Sequence, residues 1–367
     1  MSRILAFLSF LLFLTSLSAM SAKPSHAEML NKPFFVEYIR SEKGSRNTKE
    51  FICEKPPKPI RGLDLPGYYS KKDGTASNII DEKFEEHQKL RAPVRTFENT
   101  LFKMANSYVE SNPPREDIAE CVIEWMYTWA KNDAFLRRNN RTGKQVIKWT
   151  SGTIANAYMQ IQESSLLDLK RRKVIEKWLE QIAEDIIENY SHDIHKASRN
   201  NNHIYWAAWS IGSIGIATGR KDFFEWSMHK AQKGINDIQE NGVLPLEMDR
   251  GKRALSYHIF AAHPLVMLSE LSYANDGLDF YELNDGALLK LIALCFDGLE
   301  DQRFFEKQTG FKQSQKNVEN ASVLAWLEAY NKRYKDERAI DLIQKYRPMI
   351  QTRLGGDMTL LYGAPLK

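Results

Sequence analysis

Cysteine is scarce in this chain, with three in 367 residues, and glycine and proline number only 19 and 13. Three thiols cannot build a disulfide-dense mini-scaffold or fill a zinc ribbon that needs four. So little glycine and proline disfavours an architecture of many short strands and turns. Charge of one sign is missing too. The 51 Lys and Arg against 47 Asp and Glu leave +4, without the excess or clustering of a nucleic-acid binder. Past the first segment no run is long and apolar enough to cross a bilayer. There is no Gly-x-Ser-x-Gly elbow. Gly212, Gly215 and Gly219 follow no strand, which excludes a dinucleotide loop and suits close helix packing instead. What is present is 43% hydrophobic sequence, enough for a sizeable core.

Residues 1–27 read as an export signal. Arg3 supplies a positive start, Ile4 to Leu17 a nearly unbroken apolar run, and Ser25-His26-Ala27 small residues for cleavage before Glu28. The run is short for a span, so no stable membrane anchor is expected once it is removed. Losing Arg3 and Lys23 leaves the mature chain at +2, so any polyanion must be held by a local basic cluster. Export implies a periplasmic or secreted protein in an oxidising compartment. Cys53 lies in a Pro-rich loop, Cys121 in a helix, and Cys295 in the apolar run Leu291 to Cys295, which suits a buried free thiol. A Cys53–Cys121 bridge tying the N-terminal arm to the body is therefore expected.

Residues 28–80 lack helical period and are expected to form an irregular arm that could act as a lid. From about Glu82 helix follows helix, so residues 81–367 read as one all-α domain. Ile118, Cys121, Val122, Trp125, Met126 and Trp129 recur at i, i+3, i+4 and i+7, and Val174 to Ile187 repeat the pattern. Tyr205 to Thr218, small and apolar with Gly219 as its stop, looks like an inner helix. Ten or more helices on short loops, without a fixed repeat length, predict stacked αα-hairpins closing into a curved toroid with a cleft.

Two segments stand out. Asn200-Asn201-Asn202 are poor helix formers and good caps, and they place His203 at the first turn of an apolar helix beside Tyr205, Trp206 and Trp209. Aromatic faces stack on sugar rings, and Asn donates to carboxylates and hydroxyls. The second is Glu247 to His258. Arg250, Arg253 and Tyr257 share one helical face, where a guanidinium could hold an anion beside the phenol and favour tyrosinate. His192 and His195 lack a third ligand, so no metal or other cofactor is expected.

Asn201 to Ser210 and Arg250 to His258 resemble the signatures of polysaccharide lyase family 5, the periplasmic alginate or poly(β-D-mannuronate) lyases. Cys121 to Met126, Thr142-Gly143-Lys144, Lys148-Trp149, Ala157-Tyr158-Met159 and Arg353 to Asp357 are similar as well. The resemblance spans roughly Gly67 to Gly356. It implies an incomplete (α/α) toroid with a tunnel-like cleft, no metal requirement, an anionic polysaccharide as partner and a monomeric enzyme. It implies that Asn202 and Arg250 neutralise a uronate carboxylate and that Tyr257 protonates the leaving oxygen. His203 would be the base, or would polarise a Tyr257 serving as both base and acid. Tyr69, Lys71, Lys72, Lys144, Trp149, Trp206 and Arg253 become candidate sugar contacts, and Tyr69 to Gly74 resembles the family's lid. Two other classes remain open: a toroidal glycoside hydrolase using Glu247 and Asp249, or a non-catalytic binder of exported polysaccharide.

Overall fold

The computed structural model describes residues 30–70, 78–192, 195–275 and 277–366. The signal-like segment, Lys71 and Lys72 lie outside the described residues. The helices are α1 (Val36–Lys43), α2 (Asp81–Glu110), α3 (Glu116–Lys131), α4 (Arg141–Ile161), α5 (Leu169–Ser191), α6 (Asn202–Thr218) and α7 (Lys221–Asn236), followed by α8 (Pro245–Met248), α9 (Ala254–Ala274), α10 (Leu283–Glu300), α11 (Arg303–Thr309), α12 (Leu327–Tyr334), α13 (Glu337–Tyr346) and α14 (Met358–Tyr362). The only sheet among the described residues pairs Ile350–Gln351 with Gly356–Asp357.

Two kinds of helix build two layers. In α6 nearly every residue is buried, and in α9 seventeen of the positions from Ala254 to Ser272 are. A helix apolar all round must be covered all round. These two pack with α2 and α4 as an inner row, α2 against α4, α4 against α6, α6 against α9. Helices α3, α5, α7 and α10 lie outside them, α3 against α5 and α7 against α10. The stripe Ile118, Cys121, Val122, Trp125, Met126 and Trp129 faces inward, each large side chain adding about 1.5–3 kcal/mol by leaving water. The result is the incomplete (α/α) toroid, helical hairpins stacked in an arc.

The arm is irregular except for α1, an eight-residue helix that the lack of period concealed. It is fixed to the toroid at several points. Cys53 and Cys121 form a disulfide, Trp125 Nε1 donates to Glu54 O at 2.7 Å, and Trp129 Nε1 donates to Pro57 O at 3.0 Å. Asn140 caps α4 by accepting from Gly143 N, and its amide also bonds both backbone groups of Leu65. A Cβ on Gly143 would stand 1.9 Å from Leu63 O, so only glycine lets the arm pass there. Cys295 is a buried free thiol, pushed above the ordinary thiol range by burial.

Candidate functional site

The triple asparagine divides three tasks. Asn200 ends a 3-10 turn over Ala197–Arg199. Asn201 caps α6, its Oδ1 accepting from His203 N at 3.1 Å. Asn202 turns inward and is fully buried. Its backbone N–H donates to Glu247 Oε1 at 2.7 Å, and its Nδ2 lies 3.0 and 2.9 Å from the two Glu247 oxygens. Glu247 sits on α8 and is itself buried; burial pushes its carboxyl up to about 7 against the pull of those hydrogen bonds. Asn202 thus spends its donors on Glu247, and its buried Oδ1 has no partner among the described residues.

His203, half-buried, follows on the same turn. Its Nδ1 stands 3.2 Å from Lys148 Nζ, a buried amine on α4 that also reaches His203 O at 3.2 Å, Gln145 Oε1 at 2.6 Å and Tyr190 Oη at 3.3 Å. Burial lowers the basicity of both nitrogens. Lys148, Arg250, Arg141 and Arg353 push His203 further down.

Arg250 precedes a second 3-10 turn, Gly251–Arg253, which leads into α9. Its Nη2 donates to Tyr257 Oη at 2.9 Å while its Cζ lies 3.9 Å over the ring. Arg253 covers the same ring at 4.8 Å and donates to Tyr69 Oη at 3.5 Å. The expectation that these guanidiniums would favour tyrosinate is overturned. They do pull the phenol down, but burial is the larger influence and its net direction is up. Tyr257 is a phenol at neutral pH.

Tyr69 pairs with Ile79 in a short antiparallel bridge beside this corner. Ser70 N donates to Asn78 O at 2.9 Å and Ile80 N to Tyr68 O at 2.8 Å, and Lys252 Nζ reaches Asn78 Oδ1 at 3.4 Å. Lys71 and Lys72 lie outside the described residues.

Other candidates sit differently from expectation. Trp206 is completely buried, its ring 5.0 Å from Phe260. It is a packing group, and no face is open to a sugar. Trp149 is half-buried, and Arg353 stacks on it with Cζ at 4.0 Å. Lys144 lies 3.5 Å from Asp185 at a cleft of about 360 Å³, whose lining includes Arg141, Lys196 and Arg199. Asp249 is exposed on the surface.

Sequence reasoning missed Glu98 and assigned no catalytic or binding role to Arg353 or Lys148. Arg353 rises from a 3-10 turn, Thr352–Leu354, and also approaches Phe260 at 5.4 Å. Burial lowers it to about 10, with Arg91 pushing the same way and Glu98 opposing. Glu98, buried on α2, is taken up by Arg91 at 2.6 Å and Thr150 Oγ1 at 2.6 Å. The only signal was that Arg353 and Lys148 fall in segments resembling the family. Among the described residues no three His, Cys, Asp or Glu side chains stand close enough to hold a metal ion. The site is a cationic corner with one neutral imidazole and one phenol. It can hold a carboxylate and move protons on the adjoining carbon and oxygen.

Comparison with known proteins agrees with this chemistry. The family described as alginate lyase matches residues 36–305. An alginate lyase of Pseudomonas putida (strain W619) is 31% identical over 345 residues, covering 92% of each chain. One from Pseudomonas syringae pv. syringae is 33% identical over 333 residues, 88% of this chain and 85% of that protein. The crystal structure of alginate lyase A1-III from Sphingomonas species A1 superposes with a TM-score of 0.79 at 23% identity, over 94% of this chain and 100% of that one. A variant of A1-III complexed with tetrasaccharide gives 0.82 at 22% identity, again over 94% and 100%. At such identities the superpositions establish the toroidal fold.

Proposed function

Because the chain belongs to the alginate lyase family, and so is a polysaccharide lyase acting on alginate, we propose that it cleaves runs of 4-linked β-D-mannuronate by β-elimination after export to the periplasm. In this reaction the C5–H bond breaks and its electron pair forms the C4=C5 double bond. The C4–O4 bond breaks, and the leaving oxygen takes a proton. The carbanion at C5 develops beside a carboxylate, so the site must first offset that charge. Arg250 is the group placed for it, with Arg353 and Arg253 adding to the positive field.

The observation that carries the reading is the Arg250–Tyr257 hydrogen bond of 2.9 Å. Arg250 donates to the phenol oxygen, so the Tyr257 O–H is left to donate elsewhere, and burial keeps it protonated. That suits the acid that protonates O4. In mannuronate H5 and O4 lie on one ring face, so His203 and Tyr257 can work from the same side. Asn202 joins indirectly: with its donors on Glu247, it presents Oδ1 and fixes the start of α6 rather than cradling a carboxylate.

The hydrolase alternative draws no support from the geometry. Both Glu247 oxygens hold Asn202, and an inverting or retaining pair needs both carboxyls free across the glycosidic bond. The export-signal pattern of residues 1–27 and the Cys53–Cys121 disulfide support an oxidising compartment. The test is parallel digestion of polymannuronate, polyguluronate and polyglucuronate with EDTA present. Preferential formation of unsaturated ends from polymannuronate is expected; equal or greater rates on polyguluronate would overturn the mannuronate assignment.

A further inference from the structure

Lys148 stands out as a lysine with its side chain wholly inside the toroid. Its hydrogen-bond partners are all neutral groups: the Gln145 side-chain carbonyl, the His203 carbonyl, His203 Nδ1 and the Tyr190 hydroxyl. Trp149 lies 4.8 Å and Tyr190 5.9 Å from its Nζ. Tyr190 Oη donates its own proton to the same His203 carbonyl at 2.9 Å. Ser210, one helix over, donates to the Lys148 carbonyl at 2.5 Å. A buried amine without a carboxylate is costly, so this placement calls for a use, and that use faces His203.

We propose that Lys148 is a positioning residue for His203: by engaging Nδ1 and the backbone carbonyl it fixes the ring, keeps it uncharged, and leaves Nε2 as the nitrogen that meets substrate. The proposal rests on the lyase reading of the site. One proton lies between Nζ and Nδ1. Whichever nitrogen holds it, a second charge on the imidazole would face an ammonium or forfeit the hydrogen bond. The other charged groups bearing on the ring act in the same direction: Arg141 from α4, Arg250 from the turn before α9, and Arg353 from the C-terminal turn. Arg199 bears on Lys148. An uncharged His203 whose Nδ1 accepts from Lys148 carries its own proton on Nε2, and it can donate a hydrogen bond from there toward substrate without adding a cation to the arginine-rich corner. The carboxylate is left to the arginines.

The test uses the full mature chain in two measurements. Nitrogen-15 histidine resonances of the wild type, without substrate, report protonation directly, so this arm is independent of whether the protein is a lyase. His203 should stay neutral well below the ordinary imidazole value of about 6.5, the direction in which burial and the facing cations push it. In Lys148→Met it should titrate at least about one pH unit higher, and the acid limb of kcat/KM should move up with it. kcat should fall about 10- to 100-fold with KM little changed, as for a displaced reacting group. Lys148→Gln, which restores a donor to Nδ1 without charge, should recover most of kcat while keeping the shifted limb; it also serves if the Met variant fails to fold. A wild-type His203 that titrates near the ordinary value would overturn the proposal. So would a Lys148→Met enzyme that loses thermal stability but keeps the wild-type pH profile.

Discussion

Arg250 Nη2 donates to Tyr257 Oη at 2.9 Å while its Cζ lies 3.9 Å above the same ring. One guanidinium thus touches the phenol twice, at its oxygen and at its face. The six residues between them span a 3-10 turn and the first turn of α9, so the pair is set by local backbone geometry. Removing either partner tests a distinct part of the account.

Tyr257→Phe should abolish most turnover while leaving the fold intact. Only a hydroxyl is lost, and the ring keeps its contacts with both arginines. Proton transfer by a positioned group contributes about 10²–10⁴-fold, and kcat should fall by that factor at an unchanged melting temperature. Near-normal kcat would remove Tyr257 from the chemistry.

The phenol should also titrate in a particular direction. Burial pushes Tyr257 up and outweighs the pull of Arg250 and Arg253. Tyrosinate absorbance lost in Tyr257→Phe should therefore appear only above the ordinary value of about 10. Arg250→Met removes one downward pull, so in that variant ionisation should move higher still. Ionisation below the ordinary value in the wild type would show that the arginines win after all.

Glu247 makes stability depend on pH. Its buried carboxyl is pushed up to about 7, so the folded protein holds a proton that the unfolded chain releases near the ordinary carboxylate value of about 4.3. Its contribution is complete below the unfolded value and is lost as pH rises through about 7. The stability of the wild type relative to Glu247→Gln should thus decline from acid toward neutral pH, measured by urea denaturation. Glu247→Ala should cost about 1–3 kcal/mol for each Asn202 donor left unsatisfied. A pH-independent difference between wild type and Glu247→Gln would contradict the burial-driven shift.

The disulfide closes a span of 68 residues, worth about 4 kcal/mol in the chain-entropy description. Cys53→Ser should lower the denaturation midpoint and leave kcat close to normal, because the bridge fastens the arm to α3 and no member of the site is on that helix. A large loss of kcat in the folded variant would show that the arm's anchorage matters to the chemistry.

Much of this was legible before any coordinates. The period-3.6 stripes of α3 and α5 and the all-apolar α6 specified the layers directly, since each stripe must find a partner. Asn202, His203, Arg250 and Tyr257 stood in two short segments whose local pattern is unusual. What stayed hidden depends on long-range contact. Arg353 meets Trp149 across some two hundred positions, and nothing in the spacing marks that. Glu247 read as a nominee for a hydrolase carboxylate pair because its partner Asn202 is 45 residues earlier. Lys148 was legible only as part of a segment resembling the family, since a lysine within a run of mixed polarity gives no sign that its amine ends among Gln145, Tyr190 and His203. Trp206 failed as a sugar contact for a related reason. On a helix buried on every side, an aromatic that packs and one that meets a ligand have the same pattern. The tyrosinate expectation considered charge alone, whereas desolvation of the phenol proved larger.

The central claim is that glycosidic bonds are broken by elimination and not by water. The direct measurement compares, in one polymannuronate digest, the alkene formed, by ultraviolet absorbance, with the new reducing ends. One unsaturated end per bond broken, lost in Tyr257→Phe, is the result expected here. New reducing ends without matching alkene would mean hydrolysis, and would contradict the account.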